Sequence, residues 1–340
     1  MKAKLPRLPP LPSVRDLLKL YQLRALRRLS QNFLLDLRIT DRIVNAAGKI
    51  KGGYVCEIGP GPGSITRSIL NKSPAKLFVL EKDRRFIPTL EMLKDAAPCE
   101  MDILIGDVLS FNMETLFPAE ESKAWVDVPP NIHLIGNLPF NVATPLIIRW
   151  FSNIADRNSA WRYGRVQMTL TFQKEVAERM VAPILTKERC RLSVMAQNWC
   201  HVDYKYTIPG KVFLPKPEVD VGVVHFIPLV NPVIDLPFKL VEKVVRCLFS
   251  HRQKYCDKSL SYLFPKIIRE DYTVKLLKLA DINPKDRPLQ LELEEIGRIC
   301  HAYSEIITHQ PSLYKYNYRS KNSEVDWETE GNVEANKVVI

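Results

Sequence analysis

The 340-residue sequence predicts an α/β fold with a doubly wound, mainly parallel sheet and a small C-terminal helical domain. Three observations support this prediction. Apolar runs alternate with helical stretches between Gly53 and Phe151, as expected when helices connect parallel strands. A glycine-rich loop joins the first apolar run to a helix. From residue 238 onward, apolar residues recur at helical spacing.

The N-terminal segment, residues 1–28, is basic and contains Asp16 as its single acid. Prolines give the beginning of this segment an extended backbone, whereas Val14 to Leu29 can form an amphipathic helix. This composition fits an organellar targeting segment. It also fits a basic arm that packs on the fold and contacts nucleic acid, and the two interpretations are compatible. After Ser30–Leu34, a helix is predicted from Asp36 to Ile50, with Asp36 or Thr40 as its N-cap.

The glycine loop has the spacing Glu-x-Gly-x-Gly-x-Gly from Glu57 to Gly63. Glycines allow a sharp turn and the close approach of a ligand to the backbone. A dinucleotide-binding loop would need its third glycine at the position of Ser64, and the Gly-Lys-Ser/Thr ending of a P-loop is missing. These differences disfavour NAD, FAD and nucleoside triphosphates. An ordinary strand-to-helix turn remains an alternative to a cofactor loop.

Three further apolar runs end in polar residues. In an open parallel sheet, ligands bind beyond the carboxyl ends of the strands. We therefore expect these polar residues and Glu57 to converge on one crevice, although a helix cap is the ordinary role of a single carboxylate there. The runs and the polar residues after them are Lys76–Leu80 with Glu81, Ile103–Ile105 with Asp107, and Ile132–Ile135 with Asn137.

The remaining elements of the first 230 residues follow from the same patterns. Residues 114–130 are rich in acids and prolines and are predicted to form a surface loop. Residues 209–217 form a long loop between two antiparallel strands, and long loops are often functional. The predicted helices are Ser64–Leu70, Arg84–Asp95, Thr144–Trp150 and Gln173–Met180, and the predicted strands are Val166–Phe172, Cys200–Ile208 and Val219–Phe226.

The C-terminal part begins after a boundary between Pro228 and Pro237. Basic residues that include Arg252 and Lys254 concentrate there, which suits a phosphate backbone, although a solvated face is the usual explanation. Residues 311–340 are polar and predicted to be disordered. The predicted helices are Phe238–Phe249, Ser259–Leu263, Val274–Leu279 and Leu293–Tyr303.

Composition restricts the classes of protein to which the chain can belong. A formal net charge of +11 favours a polyanionic partner, either nucleic acid or an anionic membrane. No apolar run approaches the roughly 20 residues that span a bilayer, so we expect a soluble protein without membrane insertion. The seven cysteines include no Cys-x-x-Cys pair, and the histidines show no metal-ligand spacing with them. A reducing compartment and no bound metal are therefore expected.

Five short motifs carry a family resemblance: Ser30–Leu34, Glu57–Gly63, Glu81-Lys82, Gly106–Leu109 and Asn137–Phe140. They occur in the order typical of rRNA adenine N6-dimethyltransferases. The chain resembles this family from about residue 29 to about residue 303, and it most resembles the mitochondrial branch. The resemblance implies a Rossmann-like class I methyltransferase domain over residues 29–230 and a helical RNA-contacting domain over residues 231–310.

The same resemblance implies roles for particular residues. Asn137, Leu138, Pro139 and Phe140 would form the catalytic element. Phe140 and Phe213 would hold the substrate base, and Arg252 and Lys254 would contact the RNA backbone. S-adenosylmethionine would be the cofactor. Its binding residues would be Gln31, Asn32, Leu34, Glu57, Gly59, Gly61, Gly63, Glu81, Lys82, Asp107, Val108 and Asn137.

The implied reaction is N6,N6-dimethylation of two adjacent adenosines in a 3′-terminal hairpin loop of mitochondrial small-subunit rRNA. The implied partner is the assembling mitochondrial small ribosomal subunit, and the implied location is the mitochondrial matrix. A different class of function is a non-catalytic nucleic-acid-binding factor that works with the mitochondrial transcription machinery. The intact element from Asn137 to Phe140 and the carboxylate of Glu81 count against that alternative as the sole function.

Overall fold

The computed structural model describes residues 8–26 and 31–320, which pack as two compact units. The first unit contains the described residues up to Val181 together with Trp199–Val230. The second contains Ala182–Asn198 together with the described residues from Asn231 onward. The sequence analysis instead assigned all of residues 29–230 to one domain.

Long-range hydrogen bonds explain why Ala182–Asn198 belongs with the C-terminal helices. The buried guanidinium of Arg189 donates to the backbone carbonyl of Leu291 at 3.2 Å. The buried side chain of Asn198 accepts from the backbone N–H of Ile234 and donates to its carbonyl. Buried polar groups need such partners, and here the partners come from residues that follow Asn231.

Nine strands in the described part of the chain form a seven-stranded sheet and a two-stranded sheet, both in the first unit. The strands are β1 (Phe33–Leu34), β2 (Tyr54–Ile58), β3 (Lys76–Glu81), β4 (Glu100–Ile105), β5 (Ile132–Gly136), β6 (Gln167–Gln173), β7 (Cys200–Ile208), β8 (Phe213–Leu214) and β9 (Val221–Pro228).

The large sheet has the strand order β4-β3-β2-β5-β6-β9-β7. Strands β4, β3, β2, β5 and β6 are parallel, whereas β9 and β7 are antiparallel additions. Because β2 has β3 on one side and β5 on the other, the chain reverses direction across the sheet at β2. Ligands of doubly wound sheets bind at such a reversal, beyond the carboxyl ends of the strands. The predicted α/β fold with a mainly parallel sheet is confirmed.

Six helices of the first unit accompany this sheet. The central strands are buried almost throughout, as expected for parallel strands covered on both faces. The helices are α1 (Val14–Leu20), α2 (Leu37–Ala46), α3 (Ser64–Leu70), α4 (Ile87–Ala96), α5 (Phe140–Ala155) and α6 (Lys174–Val181).

Three helices differ from the predicted ones by four or more residues at one or both ends. Helix α2 ends at Ala46 instead of Ile50, and Gly48 just beyond it has a left-handed backbone with φ 84°. Helix α1 ends at Leu20 instead of continuing to Leu29, because Gln22 adopts a left-handed backbone with φ 50°. Helix α5 begins at Phe140 instead of Thr144. The carbonyl of Pro139 accepts from the amides of Val142 and Ala143, which starts the helix directly after proline.

The glycine loop between β2 and α3 adopts the backbone that its glycines predict. Gly59, Gly61 and Gly63 have φ values of 67°, 54° and 90°, which residues with a Cβ rarely adopt. Gly63 is also confined by packing, since an added Cβ would lie 2.3 Å from a methyl group of Leu93 in α4. The loop therefore turns sharply and packs closely at the same residue.

Glu57 is a buried carboxyl on β2 that joins this strand to α3. The hydroxyl of Thr66 donates to Glu57 Oε2 at 2.6 Å. Burial raises the pKa of Glu57 from its ordinary value of 4.5 to about 8. The Thr66 hydroxyl partly opposes this increase, and the nearby carboxylate of Glu81 adds to it. Glu57 is therefore largely protonated at neutral pH in the ligand-free protein.

The second unit is helical in its described residues. Helix α7 (Arg191–Trp199) was missed by the sequence analysis. Of the four helices predicted after Asn231, the first ends one residue earlier than predicted, the second starts earlier, and the third and fourth run longer; a fifth was not predicted. These helices are α8 (Phe238–Leu248), α9 (Cys256–Leu260), α10 (Arg269–Ala280), α11 (Leu293–His309) and α12 (Ser312–Lys315).

The predicted disordered tail was wrong at its beginning. The ammonium group of Lys243 in α8 donates to the backbone carbonyls of Leu313, Tyr314 and Tyr316 at 2.7–2.8 Å. Three donors meet three carbonyl acceptors, so the segment around α12 is held against α8. The rest of the predicted tail, residues 321–340, lies outside the described residues, as do residues 1–7 and 27–30 of the N-terminal region, including Ser30.

Three properties of the described residues concern membranes, metals and thiols. None of the helices there combines the length and apolar character required to cross a bilayer. The described residues also contain no group of three or more side chains that could hold a metal ion. All seven cysteines lie within the described ranges and are free thiols.

Replacing Gly63 with alanine should destabilise the protein more than the same change at Gly48. Both glycines have a left-handed backbone, which costs an alanine about 1–2 kcal/mol. Only at Gly63 does the new methyl group also overlap Leu93, which should cost about 1–3 kcal/mol more. Urea unfolding of the two variants measures the difference. Equal losses would contradict the packing role assigned to Gly63.

Glu57→Gln should remove the contribution of Glu57 that lowers the free energy of unfolding as pH rises. In the wild-type protein the folded pKa is about 8 and the ordinary value is 4.5. The stabilising effect of the bound proton is therefore complete below about pH 4.5 and is lost as pH rises to about 8. Each unit of pKa difference corresponds to about 1.4 kcal/mol. Glutamine carries no such proton, so its stability relative to wild type should increase between pH 5 and pH 8.

Urea unfolding of the ligand-free proteins at pH 5 and pH 8 measures this change. Glu91→Gln is the matched control, because Glu91 is exposed on α4 and should leave the pH dependence as it is in the wild type. A stability difference between Glu57→Gln and the wild type that is the same at these two pH values would show that Glu57 is ionised in the folded protein.

Candidate active site

Two adjoining cavities lie at the carboxyl ends of the parallel strands. The first is lined by the glycine loop, by Leu34 of β1, and by residues 137–140 after β5. The second is lined by residues after β3 and β4, including Lys82, Asp107 and Val108. The two cavities are neighbours, because five residues line both of them: Gln31, Gly59, Glu81, Leu138 and Pro139. The predicted crevice at the ends of four neighbouring strands is therefore present.

Glu81, the last residue of β3, organises the boundary between the two cavities. Its Oε2 accepts from the backbone N–H of Gly61 at 2.9 Å, and its Oε1 accepts from the N–H groups of Lys82 and Asp83. Burial raises the pKa of Glu81, and the three amide hydrogen bonds oppose that increase. A carboxylate has about four acceptor sites. Three are used by the protein, so one site on Oε2 is left for a ligand.

Asp107, which follows β4, lies across the second cavity from Glu81. Its Oδ2 accepts from Lys82 Nζ at 2.7 Å, and its Oδ1 accepts from the backbone N–H of Leu109. The hydrogen bond from Lys82 lowers the pKa of Asp107, and the Leu109 amide adds to that effect. Asp107 is therefore a carboxylate at neutral pH and can accept hydrogen bonds from a ligand.

Gln31 and Gly59 line both cavities. The Gln31 side chain is fixed by two hydrogen bonds. Its amide nitrogen donates to Asp83 Oδ2 at 2.9 Å, and its amide oxygen accepts from the backbone N–H of Leu26. At Gly59 an added Cβ would meet no atom within 4 Å. The backbone of the glycine loop is thus accessible to a ligand at this point.

Asn137 follows β5 directly and lies in the wall of the first cavity. Its Nδ2 donates to the backbone carbonyl of Asn32 at 3.0 Å. Its Oδ1 accepts from the hydroxyl of Thr171 at 2.8 Å. The amide is therefore bonded at both ends by the protein, and its oxygen keeps one further acceptor site.

The two aromatic residues predicted to hold a base line the same cavity as Asn137. Phe140 begins α5, directly after Pro139. Phe213 reaches the cavity because β8 pairs with β1, with Phe213 opposite Leu34 and Leu214 opposite Phe33. This two-stranded sheet fixes a residue of the long loop 209–217 beside residues near the N-terminus. The two rings and the Asn137 amide therefore face one compartment that is lined by apolar and polar groups.

The predicted RNA-backbone residues, Arg252 and Lys254, are not among the residues that line these cavities. Arg252 and Lys254 are exposed and belong to the second unit, where the Arg252 guanidinium donates to the backbone carbonyl of Lys187 at 2.9 Å. Of the motif Ser30–Leu34, the described residues 31–34 all line the first cavity.

One residue of this site, Thr171, was missed by the sequence analysis, whereas Phe33 belongs to the motif Ser30–Leu34. Phe33 lines the first cavity and packs edge-to-face on Phe86 with ring centroids 5.5 Å apart. Thr171 bonds Asn137 and was treated only as part of a strand. No local signal singles out Thr171, because β6 also carries the polar residues Gln167, Thr169 and Gln173.

The chain is similar to known proteins over most of its length. The family model described as ribosomal RNA adenine dimethylase matches residues 23–296. The chain is 56% identical over 315 residues to the human protein named dimethyladenosine transferase 1, mitochondrial, covering 93% of this chain and 91% of that protein. It is 49% identical over 324 residues to the Drosophila melanogaster protein of the same name, covering 94% of this chain and 96% of that protein.

Two solved structures share the fold. A dimethyladenosine transferase from Plasmodium falciparum matches with a TM-score of 0.62 and 23% identity over 80% of this chain and 98% of that chain. The 23S rRNA methyltransferase ErmE matches with a TM-score of 0.55 and 19% identity over 80% and 99% of the two chains. The family model covers most of the sequence, and the fold is that of class I methyltransferases. The chain therefore belongs to the ribosomal RNA adenine dimethylase family and is an rRNA adenine dimethyltransferase.

Proposed function

We propose that the protein uses S-adenosylmethionine to dimethylate N6 of two adjacent adenosines in a 3′-terminal hairpin loop of mitochondrial small-subunit rRNA. The observation that carries this proposal is the amide of Asn137, held at the wall of a cavity that Glu81 and Phe140 also line. The mitochondrial names of relatives up to 56% identical support the compartment. The assembling small ribosomal subunit in the matrix is then the partner, since its rRNA is the substrate.

The residues of the two cavities fit S-adenosylmethionine. Gly59 leaves open space above the loop, and the buried hydroxyl of Ser64 in the first cavity has no hydrogen-bond partner within the described protein. When bound, the cofactor supplies a methyl group activated by a positively charged sulfur. The backbone of the glycine loop would surround its methionine part, Glu81 Oε2 would accept a ribose hydroxyl, and Asp107 would accept from the adenine amino group beside Val108.

Asn137 and its neighbours would act on the substrate base. The N6 lone pair of adenine is delocalised into the ring and is a poor nucleophile. Asn137 Oδ1 and the Leu138 carbonyl would each accept an N6 hydrogen, which turns the lone pair out of the ring plane. Pro139 stiffens the turn, and Phe140 and Phe213 would hold the flipped base by its faces. Positioning of this kind supplies a large share of rate acceleration when the methyl donor is already activated.

Electrostatics would hold the RNA as a whole. The net charge of +11 favours binding to a polyanion. Arg252 and Lys254 are exposed cations of the second unit and would contact phosphates of the hairpin. Base recognition and backbone binding would therefore use different units of the chain.

The direct test is transfer of labelled methyl from S-adenosylmethionine to a small-subunit rRNA hairpin. Two substrates are compared, one with the adjacent loop adenosines and one with guanosines in their place. Label in the adenosine hairpin alone is the expected result. Binding of cofactor and RNA without transfer to the hairpin or to an isolated small-subunit precursor would contradict the proposed reaction.

Asn137→Ala should abolish methyl transfer and spare binding of the hairpin. The substitution removes an acceptor for the N6 hydrogens, and loss of one such group typically costs about 10²–10³ in kcat. Asn112→Ala is the matched control, because Asn112 is exposed and bonds Glu114 in a surface loop. Single-turnover methylation and hairpin binding are measured for both variants. Methylation by Asn137→Ala at the wild-type rate would refute the catalytic role.

Charge reversal at Arg252 and Lys254 should weaken RNA binding and leave cofactor binding unchanged. Each lost phosphate contact should reduce the slope of log K against log salt by roughly 0.7–0.9. A double reversal at Lys239 and Lys285 is the control, because these exposed lysines of the same unit give the same change in net charge. Hairpin affinity at several salt concentrations is the measurement. Equal slopes for the two double variants would mean that only net charge matters.

A further inference from the structure

We propose that Thr171 is a positioning residue that orients the amide of Asn137 for the substrate. This inference rests on the proposed function, in which Asn137 accepts a hydrogen from N6. Thr171 lies outside every motif that carries the family resemblance. It is fully buried on β6 and does not line either cavity of the active site. It therefore acts through Asn137 and not on the substrate itself.

The parallel pairing of β5 with β6 brings the two residues together. Gly136, the last residue of β5, is opposite Leu170 of β6. The residues that follow Gly136 and Leu170 in the sequence are Asn137 and Thr171. Their side chains are joined by the 2.8 Å hydrogen bond from Thr171 Oγ1 to Asn137 Oδ1. The partner strand thus supplies a hydroxyl at the point where β5 ends and the catalytic element begins.

The carbonyl of Asn32 determines which way the Asn137 amide points. A backbone carbonyl accepts hydrogen bonds and cannot donate them, so the group that faces Asn32 at 3.0 Å must be the Nδ2 of Asn137. The oxygen then faces Thr171, whose hydroxyl must donate to it. Reversal of the amide would place two acceptors against each other at Asn32. The two contacts together select one rotamer of the side chain.

Counting acceptor sites shows what this arrangement leaves for the substrate. An amide oxygen has two acceptor sites. Thr171 uses one site on Asn137 Oδ1, and the second is available to an N6 hydrogen of adenine. Without the Thr171 hydroxyl, the amide would be held by its nitrogen alone, and its oxygen would be less restricted about the terminal bond. The oxygen would then spend less time at the position where it can accept from N6.

Thr171→Val tests the role of the hydroxyl because valine has nearly the shape of threonine and suits a strand. The expected result is a fall in kcat of about tenfold, the size of one net hydrogen bond in the transition state. Affinity for S-adenosylmethionine should change by less than about twofold, because Thr171 does not line the cavities. Thr171→Ser retains the hydroxyl and should restore most of the rate.

The matched control is Thr169→Val, made two residues earlier on the same face of β6. Thr169 is also buried, and its hydroxyl bonds His225 Nδ1 at 2.9 Å instead of Asn137. Both valine variants remove one buried hydroxyl, so they should lose similar thermal stability. Only Thr171→Val should lose kcat.

The assay is single-turnover methylation of the adenosine hairpin by the full-length wild-type and variant proteins, with cofactor affinity and thermal unfolding measured in parallel. Equal rates for Thr171→Val and Thr169→Val, or failure of Thr171→Ser to exceed Thr171→Val, would overturn the positioning role and leave the proposed reaction intact. A wild-type protein that transfers no methyl group to the hairpin or to a precursor subunit would overturn the proposed reaction first, and this inference with it.

Discussion

The buried carboxylate of Glu81 is the group on which the active-site geometry depends. It ends β3 and accepts hydrogen bonds from the amides of Gly61, Lys82 and Asp83. These contacts tie the glycine loop after β2 to the end of the neighbouring strand. Burial of an ionised carboxylate is costly unless hydrogen bonds compensate for it, and here one of the three compensating donors, Gly61, belongs to the loop that a ligand must approach. Glu81 thereby fixes the backbone groups that surround it in the wall shared by the two cavities.

A second constraint concerns the other half of the site. Residues near the N-terminus, the catalytic element and the loop after β7 come from distant parts of the sequence, yet all of them line the first cavity. The β1–β8 ladder holds Leu34 against Phe213, and the side chain of Asn137 joins Asn32 to Thr171. These contacts make the wall of the first cavity a product of three chain segments. We expect changes in any one of them to alter the geometry of the other two.

The second unit shows how a charged group can serve structure instead of binding. Lys243 belongs to the basic C-terminal part of the chain, but its ammonium group is buried and bonded to three carbonyls of the segment around α12. Burial lowers the pKa of Lys243 to about 8. Arg252 and Lys254, in contrast, are exposed on the same unit. Net charge alone therefore overstates the number of cations that are available to an RNA backbone.

The sequence by itself determined the α/β class, the central parallel strands, the turn at Gly59, Gly61 and Gly63, and the residues at the carboxyl ends of the strands. These features are local, because strand periodicity, glycine spacing and polar strand ends each depend on a short run of neighbouring residues. The family resemblance rests on the same short motifs.

Only the tertiary structure decided which distant residues complete the site. The bond between Asn137 and Thr171 joins residues on two neighbouring strands, and the pairing of Phe33–Leu34 with Phe213–Leu214 is too short to leave a periodic pattern. Likewise, Ala182–Asn198 joins the helical unit, and α12 extends the ordered chain past residue 311, because Leu291, Ile234 and Lys243 supply their hydrogen-bond partners. Such partners are chosen by packing in three dimensions, so no local pattern in the sequence could have specified them.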